Sequence, residues 1–544
     1  MGVSLMVFRR EISTAKPATS QRLAVGPSFA ATAALAYFAV SVVAAVVFAM
    51  RRGPWLDEFY SIWFSDPAVP LAKAFTQRWL LDSNPPLFSA LSRVSANLIG
   101  QDYERRRLLN LLPLGALVSF WSYLFFQRAN ERVLLAIYLV LMGSSGFFLT
   151  YFAEYRSYFS LLCFGAMLPL GLYCLSTEKS TRREDAVVVW AAVSISQFML
   201  INLHYLSAVF ALILAGLAAT QMLFEGRRRD LLLLGVAALV AVVPLACFFI
   251  AQYTVMLSRS GGNYWIKTSP TGGIKVLLRF TWAGMGENVV ASFAAACVLW
   301  TGLGRWLRSP PPLVKALVEG DAGSMQQRIR CAAILAASVA AFFLVFLIVN
   351  VQTPIVVDRY FIVAIGSLNL SIAMLSVNIL SRHRWIFLVY LANAALFLGY
   401  NGVKQMPELD RWNATARLVA ESVQSWPGTR VFAFQVLRDR SQMTEESMEV
   451  MRFGYGYLAA RNGFSIAFVD DIGSFGRIGS GTRPTVLWFE HVPLDRLRPS
   501  IDAQAFMSAA NIPIDPAVAR DATLERGVSG VVIVIPGTSE APSR

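Results

Sequence analysis

The sequence predicts a mainly α, polytopic helical membrane protein that ends in a small α/β domain outside the membrane. Hydrophobic residues make up 56% of the 544 residues and charged residues 15%, far less charge than a soluble protein of this length carries. The apolar residues gather in runs of membrane-spanning length, and the composition changes after residue 401. These observations predict a transmembrane domain over 1–401 and an α/β domain over 402–544.

The apolar runs predict about eleven crossings, because a helix needs roughly 20 apolar residues to span the hydrocarbon core of a bilayer. The first run is not a short apolar core followed by a small-residue cleavage site, so we expect an uncleaved anchor. The predicted spans are 28–50, 108–127, 132–150, 158–175, 186–202, 206–224, 231–250, 286–303, 331–350, 360–380 and 385–401.

Basic residues predict the orientation of these spans. Arginine and lysine recur on every second connection, as at 227–229 and 305–330, and also precede the first span. The positive-inside rule then places the N-terminus in the cytoplasm and the C-terminal domain in the periplasm of a bacterial inner membrane. Much of the formal net charge of +14 therefore reflects topology, and no nucleic-acid partner is expected.

The apolar stretch 85–100 is too short for a crossing and contains Arg93. Counting it as a span would also break the alternation of basic loops. We therefore expect an amphipathic helix in the membrane interface, within a long outer loop over 51–107.

The tail from 402 alternates helix-like stretches with short apolar runs typical of strands. Such alternation indicates an α/β domain, and about 140 residues suffice to bury a core. The strand candidates are 430–434, 465–469, 485–489 and 531–535.

Cysteine and histidine indicate neither a disulfide framework nor a metal site. The five cysteines fall in or beside apolar runs without zinc-like spacing, and the chain has three histidines. Several acidic residues on the outer face leave a divalent cation open, but no ligand set points to one, and no other cofactor is expected.

Acidic residues on the outer loop are the first candidates for chemistry. Asp57 and Glu58 are adjacent and flanked by aromatic residues, and Asp82 precedes the pair Pro85-Pro86. Low dielectric disfavours a charged carboxylate near a membrane, so such groups are costly unless they are used. A carboxylate there can take a proton from a hydroxyl group. The structural alternative is that these acids are solvated or cap helices.

The predicted topology brings further polar residues to the same face. Structural alternatives stay open for these residues as well. Glu154 and Arg156 could form a simple ion pair at a helix end, and Arg359 could be a cation whose long side chain reaches the membrane interface. The additional candidates are Glu154, Arg156, Tyr158, His204, Lys267, Arg359 and Tyr360.

Carboxylates and arginines in one cavity suit glycosyl transfer from a polyprenyl phosphate. The acceptor hydroxyl needs a base, and a guanidinium group stabilises the departing phosphate with two hydrogen bonds. Apolar grooves between helices would hold the isoprenoid tail.

The order of these motifs over residues 25–400 resembles the GT-C glycosyltransferases. The nearest branch includes protein O-mannosyltransferases, the aminoarabinose transferase acting on lipid A, and lipid A core galacturonosyltransferases. The resemblance is carried by Leu56-Asp57-Glu58, Asp82-x-Asn84-Pro85-Pro86-Leu87, Glu154-x-Arg156-x-Tyr158, His204-Tyr205 and Arg359-Tyr360.

The resemblance implies that Asp57 is the catalytic carboxylate with Glu58 beside it, and that Arg359 lies near the donor phosphate. Asn84 departs from the family pattern, in which His is common at this position. The remaining candidates, implied or expected to bind substrate, are Asp82, Glu154, Arg156, Tyr158, His204, Lys267 and Tyr360.

The sequence thus predicts an inverting membrane glycosyltransferase that uses a polyprenyl-phosphate sugar on the periplasmic face, with Asp57 as the general base and Glu58 as an assisting catalytic residue. The acceptor is left open among lipid A, another glycan, a lipid and a protein. A polytopic transporter or lipid flippase is the main alternative, although such proteins place ionisable groups at mid-membrane. An enzyme like the O-antigen polymerases or ligases is a further alternative.

Overall fold

The structure is a computed structural model in which helices predominate. Most of the chain is described, including all of the outer segment near Asp57 apart from isolated residues. The described residues are 25–82, 84–100, 102–177, 183–259, 269–307, 322–352, 354–434, 445–470, 483–490, 492 and 500–537.

Helices follow one another through the described part of the chain with short connections. Short 3-10 helices join them at Trp79–Leu81, Arg107–Asn110, Ala129–Glu131, Asp358–Ala364 and Met406–Leu409. The α-helices are α1 (Pro27–Arg51), α2 (Leu56–Phe64), α3 (Leu71–Gln77), α4 (Leu87–Ile99), α5 (Tyr103–Arg106), α6 (Leu111–Gln127), α7 (Arg132–Ser144), α8 (Gly146–Phe152), α9 (Tyr158–Thr177), α10 (Arg183–Leu203), α11 (Tyr205–Phe224), α12 (Arg228–Arg259), α13 (Pro270–Gly286), α14 (Val289–Leu307), α15 (Ala322–Gln352), α16 (Ile365–Leu380), α17 (Arg384–Gln405), α18 (Arg411–Ser425), α19 (Glu445–Arg461), α20 (Ala503–Ala509) and α21 (Pro516–Arg520).

The apolar helices confirm a polytopic membrane protein. Within the described residues, nine helices are long and apolar enough to cross a membrane, and the number is ten when the pair Ala129–Ser144 and Gly146–Phe152, bent by 59°, is counted as one span. The remaining predicted span, 286–303, overlaps α14, whose apolar part, Val289–Trp300, is shorter. Each of the eleven predicted runs therefore coincides with or overlaps a helix.

Helices α9 and α16 lie at the centre of the bundle and are almost completely buried. Their backbones approach closely at Gly165 and Gly366. A Cβ atom on Gly165 would lie 2.5 Å from the carbonyl oxygen of Val363, and one on Gly366 would overlap the backbone of Gly165. Close contact between small residues is a common way to pack helices where lipid supplies no hydrophobic driving force.

The segment after α1, predicted as an outer loop, folds into short helices that carry the candidate site. The apolar stretch 85–100 forms helix α4, as expected. Arg93 on this helix donates hydrogen bonds to the carbonyl oxygens of Asp66 and Pro67 at 2.5 and 3.2 Å. Within the described residues of the connection predicted between 250 and 286, α12 extends to Arg259 and α13 occupies Pro270–Gly286.

The C-terminal residues form a five-stranded mixed sheet of order β2-β1-β3-β5-β4. Strand β1 pairs in parallel with β2 and β3, and β5 pairs antiparallel with β3 and β4. The four predicted strands are confirmed, and a fifth, β4, is added at the edge. The strands are β1 (Arg430–Phe434), β2 (Ala467–Val469), β3 (Thr485–Phe489), β4 (Thr523–Arg526) and β5 (Val531–Ile535).

This C-terminal part packs directly on α2, the helix that carries Asp57. The buried ring of Phe59 lies 5.1 Å from that of Trp412 and 6.1 Å from that of Tyr457. The hydroxyl groups of Tyr60 and Ser447 are 2.6 Å apart and hydrogen-bonded. The contact therefore joins the α/β domain to the candidate site.

Candidate active site

Asp57 lies in the first turn of α2, where the helix dipole favours a negative charge. Its Oδ2 accepts a hydrogen bond from Nη1 of Arg359 at 2.7 Å. Both side chains are mostly buried. The ion pair joins parts of the chain 302 residues apart and places the predicted base beside the predicted phosphate ligand.

Arg156 reaches the same place from the connection between α8 and α9. Its Nη1 donates to the Ser61 hydroxyl at 3.2 Å and to the backbone carbonyl of Asp57 at 3.3 Å. Burial would lower the pKa of this guanidinium, but Tyr158, Asp57 and Asp82 together raise it above its ordinary value. Arg156 therefore stays a cation at any physiological pH.

Aromatic rings line this cluster. The Tyr158 ring centre lies 5.8 Å from the guanidinium carbon of Arg156 and 5.6 Å from that of Arg359, which are cation–π distances. The ring centre of Tyr360 likewise lies 5.7 Å from the guanidinium carbon of Arg359. These contacts hold the two arginines in place beside Asp57.

His204 closes the cluster as the N-terminal cap of α11. Its Nδ1 accepts from the backbone N–H of Leu206 at 3.2 Å, and its ring lies 5.2 Å from that of Tyr360. Burial, with the nearby Arg156 and Arg359, lowers the pKa of His204 to about 3. The imidazole is therefore neutral with its proton on Nε2, so it is suited to donate a hydrogen bond and not to act as a base.

Asp82 lies near Arg156 and contributes to its electrostatic environment. The amide of Asn84 donates to Asp82 Oδ1 at 3.4 Å. Gln252, which the sequence did not single out, donates to the carbonyl of Leu80 at 3.2 Å and to that of Asp82. A glutamine near the C-terminal end of an apolar helix was the signal that could have indicated this residue.

Glu58 does not belong to this cluster. It is fully buried, with Oε1 and Oε2 accepting from Nε and Nη2 of Arg107 at 2.8 and 2.7 Å. The N–H of Tyr155 also donates to Oε1 at 2.8 Å. Burial raises the pKa of this carboxyl, but Arg107 outweighs burial and holds the pKa below its usual range. Neighbouring residues on a helix point about 100° apart, which explains why Asp57 and Glu58 have different partners.

Glu154 pairs with Arg52 at 2.8 Å, and not with Arg156 as the spacing within one helical turn suggested. Both groups face a polar cavity beside the Asp57–Arg359 pair. Lys267 lies outside the described residues.

The cavity, called the side cavity below, has a volume of about 350 Å³. It is adjacent to the ion pair because Arg359 contributes to both. Its lining residues are Arg52, Trp55, Thr150, Tyr151, Glu154, Val357, Asp358, Arg359, Lys404, Gln405, Glu408 and Arg411.

The described residues contain no group of three His, Cys, Asp or Glu side chains arranged to hold a metal ion. The cluster brings together the carboxylates of Asp57 and Asp82, two guanidinium groups, two phenols and a neutral imidazole.

No model of a known protein family and no curated protein matches the sequence. Among solved structures, the chain aligns with apo ArnT from Cupriavidus metallidurans over 94% of its own length and 99% of the other chain, with 12% identity and a TM-score of 0.50. The fold is similar to that of ArnT. Because ArnT is a lipid A aminoarabinose transferase of the GT-C type, the expected GT-C fold is confirmed as a fold.

A second ArnT structure from the same organism, bound to undecaprenyl phosphate, aligns over the same shares of both chains with 14% identity and a TM-score of 0.45. The likeness to ArnT concerns the fold, so the chemistry of this chain has to be argued from its own residues.

Proposed function

We propose that this protein is a membrane glycosyltransferase that moves a sugar from a polyprenyl-phosphate donor to an acceptor hydroxyl. The observation that carries the proposal is the ion pair between Asp57 and Arg359, with Arg156 beside it. One carboxylate and two guanidinium groups are the groups that deprotonation of a hydroxyl and departure of a phosphate require. The ArnT-like fold is consistent with this chemistry.

In the proposed reaction, the acceptor hydroxyl attacks the anomeric carbon while Asp57 takes its proton. The bond from that carbon to the phosphate oxygen breaks, and polyprenyl phosphate leaves with the electron pair. A single displacement on the face opposite the phosphate inverts the anomeric centre. Oδ2 of Asp57 is held by Arg359, and no described residue donates a hydrogen bond to Oδ1, so Oδ1 is the oxygen placed to take the proton.

Arg359 would change partners during the reaction. The donor phosphodiester offers a guanidinium group two acceptor oxygens, and its single negative charge grows toward two as polyprenyl phosphate departs. Binding of the donor would draw Arg359 away from Asp57, and thereby release the carboxylate to act as a base. Arg156, which is partly buried and permanently charged, would supply the second phosphate contact.

The other candidates take supporting roles in this proposal. Asp82, Tyr158, His204 and Tyr360 would contact the sugar, and Glu58 would position α2 through Arg107. Charge along the loops favours a cytoplasmic N-terminus and a reaction on the periplasmic side of a bacterial inner membrane. Lipid A, another glycan, a lipid and a protein are the acceptors to test.

Substitution of Asp57 tests the proposal. Deletion of the gene should remove one sugar mass from a single envelope component, as seen by mass spectrometry of lipids and glycans. Wild-type protein should restore that mass, whereas Asp57→Asn should transfer about 10²- to 10⁴-fold less because the base is lost. Asp66→Asn is the matched control, since Asp66 lies on the same outer segment with its own arginine partner, Arg78.

Restoration of the sugar by Asp57→Asn at near wild-type levels would contradict the role of Asp57. An unchanged set of glycans in the deletion strain would contradict glycosyl transfer altogether. A second assay separates an enzyme from a transporter. Purified protein is incubated with a labelled polyprenyl-phosphate sugar, and a transporter would release no polyprenyl phosphate from it.

A further inference from the structure

The break between α7 and α8 leaves backbone groups to satisfy inside the helix bundle. The two helices meet with a bend of 59°. In an unbroken helix the N–H of Gly146 would bind the carbonyl of Met142. The carbonyl of Ser144 would likewise accept from Phe148, whose N–H instead donates to the carbonyl of Ser145 at 2.9 Å. Hydrocarbon offers no water to replace the lost bonds, so neighbouring side chains must replace them.

Glu287 and Asn401 satisfy these two groups. Glu287 lies in the connection between α13 and α14, and its Oε2 accepts from the N–H of Gly146 at 2.9 Å. Asn401 lies near the end of α17, and its Nδ2 donates to the carbonyl of Ser144 at 3.4 Å. The same Nδ2 donates to Oε1 of Glu287 at 3.3 Å. This linked pair is called the Glu287–Asn401 bridge below.

The start of α8 depends on this bridge. Ser145 occupies the N-cap position, where serine commonly caps a helix, but its side chain forms no capping hydrogen bond. A Cβ atom on Gly146 would lie 2.8 Å from Oε1 of Glu287 and 3.1 Å from the amide of Asn401. The glycine therefore gives the bridge its room, and the cap of α8 comes from distant parts of the chain.

Helix α8 leads directly to Glu154 and Arg156 of the candidate site. Its C-terminal end is held at Thr150, whose carbonyl accepts from Arg52 at 2.9 Å and whose hydroxyl accepts from Gln405 at 2.6 Å. The helix has seven residues and is about 10 Å long. A tilt of about 6° at its start would therefore move its far end by about 1 Å.

We propose that Glu287 and Asn401 are positioning residues for the transfer reaction, which fix the angle between α7 and α8 and so place Arg156 beside Asp57. This inference rests on the proposed function, in which Arg156 supplies the second phosphate contact. Neither residue of the bridge takes part in that reaction, and neither lines the side cavity. A displacement of about 1 Å at a site can reduce the rate on the order of 10²-fold, so a distant bridge can matter for catalysis.

Removal of the carboxylate tests the positioning role. Glu287→Leu leaves the N–H of Gly146 without its acceptor, and should lower transfer by about tenfold or more. Transfer is measured by restoration of the missing sugar in the deletion strain at matched protein level, and gel filtration reports folding. Glu287→Gln keeps one oxygen for the N–H of Gly146, and should recover most of the transfer that Glu287→Leu loses.

Asn393→Ala is the matched control. Asn393 lies on the same helix as Asn401 and holds the same connection, since it accepts from the N–H of Val290 at 3.1 Å and donates to the carbonyl of Glu287 at 3.4 Å. Its hydrogen bonds within the described part of the chain do not reach α7 or α8. The variant should lower the melting temperature through the lost hydrogen bonds and keep wild-type transfer.

Hydrogen exchange of the full-length protein in detergent locates the effect without turnover. In Glu287→Leu the amides of residues 146–157 should exchange about tenfold or more faster than in the wild type, because a hydrogen bond that holds the start of α8 is lost. The amides of α9 should exchange as before. Asn393→Ala should leave both segments unchanged.

Wild-type transfer by a folded Glu287→Leu protein would overturn the positioning role. Lost transfer with unchanged exchange over 146–157 would overturn the route through α8. Faster exchange throughout the described helices, or an equal loss of transfer in Asn393→Ala, would show a general structural role and would also count against the proposal.

Asn401→Ala replaces Glu287→Leu if that protein does not fold. It removes the donor to Ser144 and keeps Glu287 on Gly146, and should also lower transfer and speed exchange over 146–157. If the wild-type protein restores no sugar, the proposed function fails and this inference with it. A failure confined to the bridge variants leaves the proposed function intact, so the two failures are separate results.

Discussion

Asp57 and Glu58 show how one helical step separates two identical chemical groups. Asp57 is partly exposed and pairs with Arg359, whereas Glu58 is sealed from solvent by Arg107 and the N–H of Tyr155. Burial of a carboxylate requires such partners, because an unpaired charge in the interior is very costly. The sequence indicated an acid pair with a shared role, and the structure assigns them different surroundings.

His204 gives a pH-dependent prediction at the residue scale. Its pKa is about 3 in the folded protein and about 6.5 when unfolded, so the unfolded state binds more protons between these values. The stability contribution of neutral His204 is therefore present above about pH 6.5 and is lost as the pH falls toward 3, by at most about 1.4 kcal/mol per pH unit. We expect the melting temperature to fall between pH 7 and pH 5.

His204→Asn should reduce that fall, because asparagine caps a helix well but does not titrate. His383→Asn is the control, since His383 also precedes a helix but makes no side-chain cap. An unchanged pH dependence in His204→Asn would contradict the assignment of a neutral, buried imidazole.

At the scale of elements, hydrophobic runs predicted the spans because a bilayer leaves little choice of structure. Backbone groups in hydrocarbon must be hydrogen-bonded internally, so a run of about 20 apolar residues becomes a helix. Local patterns also indicated β1, β3 and β5, whose cores are continuous apolar runs. Strand β4, Thr-Leu-Glu-Arg, lacks such a run, and its pairing with β5 is fixed by tertiary structure.

The contact between α9 and α16 gives a prediction for an element pair. Gly366→Ala should destabilise the protein by about 1–3 kcal/mol, because the added methyl group meets the backbone of Gly165 and Ala166, which cannot yield locally. Gly216→Ala on α11 is the control, since a Cβ atom there meets nothing within 4 Å. Thermal unfolding in detergent measures both, and equal melting temperatures would show that the two helices are not tightly packed.

At the scale of the whole molecule, the C-terminal domain holds the helix that carries the proposed base. Helix α19 packs on α2 through Phe59, and Arg461 reaches Glu104 with two hydrogen bonds of 2.9 and 2.6 Å. The predicted boundary at residue 402 falls within α17, which ends at Gln405, and stays a prediction. The packing suggests that the domain acts on catalysis by positioning α2.

Gly454 tests this coupling. A Cβ atom there would lie 2.9 Å from the Phe59 ring, which is fully buried and cannot move aside, so Gly454→Ala should displace α2. A displacement of about 1 Å at Asp57 can reduce the rate on the order of 10²-fold. We expect a smaller displacement here, and therefore a loss of transfer of about tenfold or more.

Gly456→Ala, two residues away with nothing within 4 Å of its Cβ position, should keep wild-type transfer. Restoration of the missing sugar in the deletion strain reports transfer, and gel filtration reports folding. A folded Gly454→Ala protein with full activity would show that this contact does not position the base.

The sequence by itself determined the positions of the apolar helices, most of the strands and the residue types that gather at the candidate site. These follow from local rules, because length and hydropathy decide what can lie in a bilayer. Only the tertiary structure decided which charges pair, since Asp57 meets Arg359, Glu58 meets Arg107 and Glu154 meets Arg52 across 302, 49 and 102 residues. Electrostatic partners depend on distance in space, and spacing along the chain carries that information only within a helix turn.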